Sequence, residues 1–236
     1  MALRPMLRLL LCCLLCWPSW LVAEPLPIVS GPGYPPFADP QLPGGGQATE
    51  LVRAAMARAG LSAELSWRPW QNGYQATLAG EFAATYPYIT TAEREKLFLY
   101  SAPLFDLKFY VFGRAGSKLD GARPETLRGL RYCLPHGWAH LAPIEQMLKA
   151  GELTYAHPYD MRSCMKMIAL GQADFTITDR EQGRQALREL PASLPQPQLL
   201  GQEMGSLSLH LIIPRNRPDA EALLRRFNAG LAAVSR

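Results

Sequence analysis

The chain contains a short apolar strand, Leu26-Pro-Ile-Val-Ser30, which runs into the loop Gly31-Pro-Gly-Tyr-Pro-Pro-Phe-Ala-Asp-Pro-Gln-Leu-Pro-Gly-Gly-Gly46. Ten of the sixteen loop residues are glycine or proline, which indicates an irregular loop of fixed shape. Apolar residues at helical spacing then predict a helix from Thr49 to Ala59, which Gly60 closes. A strand, a loop and a helix in this order are typical of the start of a layered α/β domain.

The same alternation of strands and helices continues on the C-terminal side, in two runs that an extended strand near residue 107 joins. The predicted strands cover 26–30, 63–67, 107–112, 130–134, 153–156, 175–178 and 206–213, and the predicted helices cover 49–59, 71–78, 144–148, 161–168 and 219–234. Two α/β runs predict two lobes, and the last strand and helix can return across the junction. We therefore expect lobe 1 to cover 24–107 with 214–236 returning to it, and lobe 2 to cover 108–213.

Composition and the N-terminal segment indicate an exported globular protein. The chain has 236 residues, 48% of them hydrophobic and 19% charged, and the net charge of +4 gives no electrostatic case for nucleic acid. Residues 1–23 combine the basic residues Arg4 and Arg8, the apolar run Leu9–Trp17 and a small residue, Ala23. This pattern predicts a signal peptide that is cleaved before Glu24, because the apolar run is too short for a membrane span. We expect a periplasmic, monomeric protein.

The five cysteines divide between the predicted signal peptide and the mature chain. Cys12, Cys13 and Cys16 lie in the signal peptide, and whether they are lipidated stays open. Cys133 lies in a predicted strand and Cys164 on the inward face of a predicted helix. Two cysteines in an exported protein more often pair than remain free, so we expect a Cys133–Cys164 disulfide.

Several short motifs follow one another in an order that points to a known family. They are Gly33-Tyr-Pro-Pro-Phe37, Pro69-Trp70, Leu78-Ala-Gly80, Thr90-Thr-Ala-Glu-Arg94, Leu99-Tyr-Ser-Ala-Pro103, Leu127-Arg-Gly129, Gly137 and Gly171-Gln-Ala-Asp-Phe-Thr-Ile-Thr-Asp179. In these motifs the chain resembles the family 3 periplasmic solute-binding proteins, the polar amino-acid receptors of ABC importers, over nearly all of its mature part. The resemblance implies an α/β fold of the type II periplasmic-binding-protein kind, with a ligand cleft between two closing lobes. It also implies a binding protein rather than an enzyme, without cofactor or metal.

The resemblance assigns roles to two charged residues. Arg94 matches the arginine that binds the ligand's α-carboxylate, and a guanidinium can hold both carboxylate oxygens. Asp179 matches the aspartate that binds the α-ammonium, and it follows a strand's carboxyl end, where α/β sheets place ligands. The plain alternatives are a solvated surface arginine and a helix-capping aspartate. With the aromatic residues around them, the predicted ligand-binding set is Tyr34, Phe37, Trp70, Tyr88, Thr90, Arg94, Trp138 and Asp179.

The chain also departs from the family pattern at the expected ligand. Ile89 stands where the family often has Ser or Thr, and the hydroxyl of Thr90 is one place off. Thr90 and Glu93 have capping-box spacing, which predicts that Arg94 lies in the first turn of a short helix. Trp138 replaces a hydroxyl residue after the Gly137 turn. Together with Tyr88, these departures favour a more apolar or aromatic ligand than a standard polar amino acid.

Three other functions stay open at this point. His136 and His140 are four residues apart, a spacing that can hold a metal, but no third ligand is evident. Cyclohexadienyl dehydratases resemble these receptors, and Glu81, His136 and Asp179 are the candidates for their acid/base chemistry. A periplasmic sensor or accessory subunit would bind a ligand and signal to a partner protein instead of an inner-membrane ABC permease.

Overall fold

The computed structural model describes residues 24–234, and the predicted signal peptide lies outside them. Within this range the chain forms one sheet of nine strands, flanked by seven α-helices and two short 3-10 turns. The strands are β1 (Leu26–Ser30), β2 (Ala63–Trp67), β3 (Ala84–Ile89), β4 (Phe98–Tyr100), β5 (Phe105–Gly113), β6 (Arg131–Cys133), β7 (Thr154–Ala156), β8 (Phe175–Asp179) and β9 (Gln198–Pro214). The helices are α1 (Gln47–Arg58), α2 (Trp70–Leu78), α3 (Ala92–Leu97), α4 (Ala142–Lys149), α5 (Met161–Ala169), α6 (Arg180–Arg188) and α7 (Ala220–Val234).

Two long antiparallel strands join two parallel groups in this sheet. The strand order is β2-β1-β3-β9-β5-β8-β6-β7, with β4 paired to β9 off this path. β2, β1 and β3 are parallel, as are β8, β6 and β7, whereas β9 and β5 run antiparallel to each other and to their outer neighbours. We call β1–β4, residues 209–214 of β9 and helices α1, α2, α3 and α7 the first half. The second half comprises β6–β8, residues 109–113 of β5, residues 198–203 of β9 and helices α4–α6.

The sequence pattern does not predict strand β3, and its composition shows why. Five of its six residues are buried, so the strand lacks the alternation of a half-exposed strand. It also contains Pro87, which usually argues against a strand inside a sheet. The structure accommodates Pro87 at a shift of register between Thr85 and Tyr88, where β3 pairs with β9.

Strand β9 is longer than the predicted 206–213 because it serves both halves. Its last residues pair with β3 and β4, and the rest of the strand pairs with β5 as far as Gly113. The pattern also misses the three-residue strand β4 and helix α6, and only Gln182, Gly183 and Ala186 of the nine residues of α6 are buried. Ala186 and Leu187 are the only residues of α6 with an apolar side chain, so the helix lacks the apolar stripe by which a helix is recognised in a sequence.

Each half packs its own apolar core. In the first half, helices α1 and α7 cover the sheet, and a Cβ at Gly230 would clash with the backbone of Ala55. Glycine is therefore required where these two helices approach each other. The second half is built on Val111, Tyr132 and Phe175, with a further cluster under α5 and α6. Within residues 24–234 there is no helix with the length and apolar character of a membrane span.

A disulfide links strand β6 to helix α5 in the second half, as the sequence predicts. Cys133 and Cys164 are both fully buried, and their Cα atoms are 5.5 Å apart. Asp160 caps α5 by accepting a hydrogen bond from the backbone N–H of Ser163 at 2.8 Å, which fixes the start of the helix. The disulfide joins two residues that are 31 positions apart, so it closes most of the segment from β6 to α5 into one loop.

Candidate functional site

The candidate site lies where the parallel strands of both halves end. Tyr34 and Trp138 lie in the loops after β1 and β6. Arg94 lies in helix α3, which follows β3, and Asp179 is the last residue of β8. In each half the parallel strands place their carboxyl ends at one edge, and ligands of α/β proteins bind at such edges. The two groups run in opposite directions, because β3 is antiparallel to β9, β9 to β5 and β5 to β8, so these two edges face each other. The topology thus brings together side chains that are far apart in sequence.

Arg94 is positioned by the short helix α3. The side-chain oxygen of Thr91 accepts a hydrogen bond from the backbone N–H of Arg94 at 3.2 Å, so the N-cap is Thr91. The expected cap at Thr90 is therefore wrong by one residue, because the extended backbone that a cap requires occurs at Thr91. Arg94 lies in the first turn of the helix, as predicted.

The guanidinium of Arg94 is held by aromatic rings and a carbonyl group. Its central carbon lies 4.8 Å from the ring centre of Tyr88 and 5.7 Å from that of Tyr74. Its Nη1 donates a hydrogen bond to the backbone oxygen of Ile89 at 3.3 Å. None of the ion pairs among residues 24–234 includes Arg94. A guanidinium has five N–H donors, so Arg94 keeps donors for an anionic ligand.

Asp179 accepts hydrogen bonds at both of its carboxylate oxygens. It caps helix α6, and its Oδ1 accepts the backbone N–H groups of Glu181 at 3.0 Å and Gln182 at 2.9 Å. Its Oδ2 accepts the hydroxyl of Tyr34, from the other half, at 3.2 Å. Asp179 is only 2% exposed. Asp179 therefore caps a helix, as the alternative interpretation of the sequence held.

Burial is the largest cause of the pKa shifts of Asp179 and Tyr34. It raises the pKa of Asp179 above the ordinary value of 3.8, although the hydrogen bonds from Gln182, Tyr34 and Glu181 act in the opposite direction. Burial also raises the pKa of the Tyr34 hydroxyl well above 10.0, and the nearby Asp179 raises it further. Tyr34 therefore stays protonated and remains a hydrogen-bond donor to Asp179.

This pKa shift predicts a pH-dependent effect of Asp179→Asn. Because the folded pKa is raised, the protonated carboxyl contributes stability that is fully present below the unfolded pKa and is lost as pH rises through the folded pKa. The free energy of unfolding of the wild type, relative to Asp179→Asn, should therefore fall as pH is raised. Urea unfolding of both proteins from about pH 3 to about pH 7 measures this difference. If this difference in the free energy of unfolding stays constant or grows with pH, the pKa of Asp179 is not raised in the folded protein.

Aromatic side chains from both halves fill the space between Arg94 and Asp179. The ring centre of Tyr34 lies 4.8 Å from that of Trp138, 5.2 Å from Phe37 and 6.4 Å from Trp70. Trp138 comes from the second half and lies 6.4 Å from Trp70, ring centre to ring centre. The turn that carries Trp138 needs Gly137, which has a φ of +81° and approaches the start of α2 closely.

Two cavities meet at this aromatic cluster. The smaller cavity, which we call the inner cavity because most of its lining residues are buried, has a volume of about 60 Å³ and an apolar wall. The larger, outer cavity has many exposed residues in its lining and a volume of about 710 Å³. Arg94 and Trp138 line both cavities. Among the described residues that line the inner cavity, Arg94 alone carries a charge. The arrangement suits a ligand with one anionic group and an apolar body.

The structure brings most of the predicted site residues together. Of the eight, the inner cavity is lined by Tyr34, Trp70, Tyr88, Arg94 and Trp138. Phe37 is buried behind Tyr34 and packs on Phe105, with ring centres 5.1 Å apart. Thr90 and Asp179 line neither of the two cavities. The ligand-binding roles of all eight residues stay predictions.

Sequence reasoning missed other wall residues, most of which lie on central strands. Phe109 on β5 and Ile177 on β8 line the inner cavity, together with Tyr132, Leu134, Leu141 and Leu209. Ile177 is two residues before Asp179 and therefore on the same face of β8. The alternation of faces along a strand is therefore the sequence signal that would have predicted Ile177.

The residues of the two alternative chemistries are not arranged for them. His136 and His140 line the outer cavity, yet no group of three or more metal-ligating side chains in residues 24–234 is placed to hold a metal ion. Among the acid/base candidates, Glu81 is exposed and pairs with Arg68 at 2.9 Å. Asp179 lies behind Tyr34, so only His136 of these candidates faces a cavity that we describe.

Comparisons with known proteins agree with this architecture. Residues 26–236 match the family model described as bacterial extracellular solute-binding proteins, family 3. No curated protein matches the chain. Among solved structures, the GluR0 ligand-binding core from Nostoc punctiforme in complex with L-glutamate has a TM-score of 0.72 at 18% identity, over 89% of this chain and 93% of that one.

Two further structures show the same fold. A histidine kinase sensor domain with similarity to periplasmic binding proteins has a TM-score of 0.75 at 19% identity, over 90% of each chain. Holo ArgBP from T. maritima has a TM-score of 0.72 at 18% identity, over 89% of this chain and 90% of that one. At these identities the likeness shows the fold alone. The predicted α/β fold of the type II periplasmic-binding-protein kind is confirmed.

Proposed function

We infer that this chain, which belongs to the bacterial extracellular solute-binding proteins of family 3, captures a small amino-acid-like ligand between its two halves. The observation that carries the proposal is Arg94, a half-buried arginine on the inner cavity that forms none of the ion pairs among residues 24–234. A guanidinium in an apolar site binds a carboxylate through two parallel hydrogen bonds.

Closure of two lobes is the proposed mechanism of capture. We propose that the lobes follow the predicted division, 24–107 with 214–236 as lobe 1 and 108–213 as lobe 2, except that residues 209–213 of β9 pair with β3 and β4 and belong with lobe 1. Strands β5 and β9 connect the two lobes. Side-chain contacts between the halves, such as Tyr34 with Asp179 and Trp138 with Trp70, join a loop of one half to the end of a strand or the start of a helix in the other. A ligand that touches both halves favours the closed state, since only that state provides all of its contacts.

Delivery to an inner-membrane ABC permease is the role we propose for the captured ligand, in the periplasm after removal of residues 1–23. A periplasmic sensor is the second candidate, because one structure with the same fold is a histidine kinase sensor domain. An enzyme such as a cyclohexadienyl dehydratase has less support, since His136 and Asp179 line no common cavity. Genes for a permease and an ATPase next to this one support import, whereas a kinase or cyclase gene supports sensing.

A thermal-shift panel tests the binding function. The mature protein, residues 24–236, is melted with each of the twenty amino acids and with small carboxylates. A ligand at one hundred times its dissociation constant adds about 2.7 kcal/mol to the free energy of unfolding. For a chain of this size that raises the melting temperature by about 5–11 °C. A panel without any such shift contradicts the proposed function, and turnover of prephenate or arogenate would favour the enzyme.

A further inference from the structure

We propose that the cleft selects apolar or aromatic carboxylates that lack an α-ammonium group. This inference rests on the proposed function and narrows its ligand class. An amino acid needs a fixed cation for its carboxylate and a fixed anion for its ammonium. The cleft offers the first of these, Arg94, while the candidate for the second, Asp179, is bound within the protein.

Asp179 is satisfied by three donors of the protein itself. Two backbone N–H groups at the start of α6 bind Oδ1, and the hydroxyl of Tyr34 binds Oδ2. Gln182 adds a second link between the halves, because its Nε2 donates to the backbone oxygen of Gly33 at 3.5 Å. Two hydrogen bonds thus hold the loop of Tyr34 against Asp179 and the start of α6. A ligand ammonium would have to replace the Tyr34 hydroxyl to reach the carboxylate.

The inner cavity offers an ammonium group no other anion. Its described lining carries the charge of Arg94 and otherwise consists of aromatic, aliphatic and small residues. A charged group that is buried without a partner loses its hydration and gains nothing in return. The same lining suits a flat apolar body, because aromatic rings pack on Trp70, Tyr88 and Trp138 in edge and offset arrangements.

A ligand of this size fits only if the indole of Trp138 moves. The inner cavity of about 60 Å³ holds only a few water molecules, whereas the outer cavity has about 710 Å³. Trp138 lines both cavities and is half-buried, so a rotation of its indole would join them. The ligand carboxylate would then meet Arg94 at the boundary, with the ring in the space that the indole leaves.

The test compares two ligands that differ only in the ammonium group, 3-phenylpropionate and L-phenylalanine. Isothermal titration of the wild type should show 3-phenylpropionate binding about tenfold tighter or more, because the ammonium of phenylalanine stays unpaired. Tyr34→Phe frees Oδ2 of Asp179 and keeps the ring, so this variant should reduce or reverse the preference. Tyr159→Phe is the matched control, since Tyr159 is 68% exposed and lines neither cavity of the cleft. Melting curves confirm that each variant is folded.

Each other outcome has a defined meaning. If the wild type binds L-phenylalanine or another amino acid more tightly than any carboxylate without an ammonium group, the inference is wrong but the proposed function stands. If Tyr34→Phe leaves the ratio of the two affinities unchanged, the Tyr34–Asp179 contact does not set the selectivity, and the inference is likewise wrong. If no amino acid and no carboxylate binds, the proposed function itself is overturned.

Discussion

Replacing Arg94 with alanine is expected to weaken binding of the best carboxylate ligand by about 30-fold to several thousandfold. Loss of one partner from a buried, hydrogen-bonded charge pair costs roughly 2–5 kcal/mol, because the other charge remains desolvated and unpaired. Arg94→Lys should also weaken binding, since an ammonium cannot hold both carboxylate oxygens in a planar grip. Isothermal titration of the three proteins with the best ligand of the thermal-shift panel measures the effect.

Arg58→Ala is the matched control for this series. Arg58 is exposed at the end of α1, away from the cleft, and its removal takes one positive charge from the protein without touching the site. Arg94→Ala also loses the stacking on Tyr88, so circular dichroism and melting curves are needed to show that the variant is folded. Equal affinities of wild type, Arg94→Ala and Arg94→Lys contradict the role of Arg94 as the carboxylate-binding residue.

Removal of the disulfide by Cys133→Ala with Cys164→Ala is expected to lower the free energy of unfolding by about 3–4 kcal/mol. In the chain-entropy model a cross-link of 31 residues restricts the unfolded chain by this amount. For a domain of this size the loss lowers the melting temperature by roughly 6–16 °C. Denaturant unfolding of both proteins under non-reducing conditions gives the difference directly.

The wild type in dithiothreitol is the control that separates the cross-link from packing. It keeps both sulfur atoms, which lie in the buried cluster under α5 and α6, whereas the alanine variant also loses their packing. If reduction and the double alanine substitution lower the free energy of unfolding by similar amounts, the loss is due to the missing cross-link. Two free thiols in the unfolded, unreduced wild type would show that the bond does not form.

Much of the secondary structure was predictable because its signals are local. Strands β1 and β2 were predicted with the bounds that the structure shows, and α5 follows from Asp160 and an apolar stripe at helical spacing. Strand β3 was not predicted, because its burial on both faces removes the alternation and Pro87 argues against a strand. Its place in the sheet depends on pairing with β1 and β9, which no local pattern reveals.

The candidate site also has features that the sequence predicts and features that it does not. Local signals indicated a short helix for Arg94 and a strand end for Asp179, and the family resemblance named both residues. The sequence could not show that Tyr34 binds Asp179, because the two are 145 residues apart and meet only through the arrangement of the two halves. Nor could it show that Trp138 lies against Tyr34 and Trp70 between the two cavities.

By itself, therefore, the sequence determined the α/β class, most helices and strands, and the family to which the chain is similar. These depend on periodicity, turn residues and short motifs, which act over a few residues. Only the tertiary structure decided that Arg94 keeps free donors in the cleft while Asp179 is bound by Tyr34 and the start of α6. The physical reason is that hydrogen-bond satisfaction belongs to side chains brought together from separate strand ends, and not to any one segment.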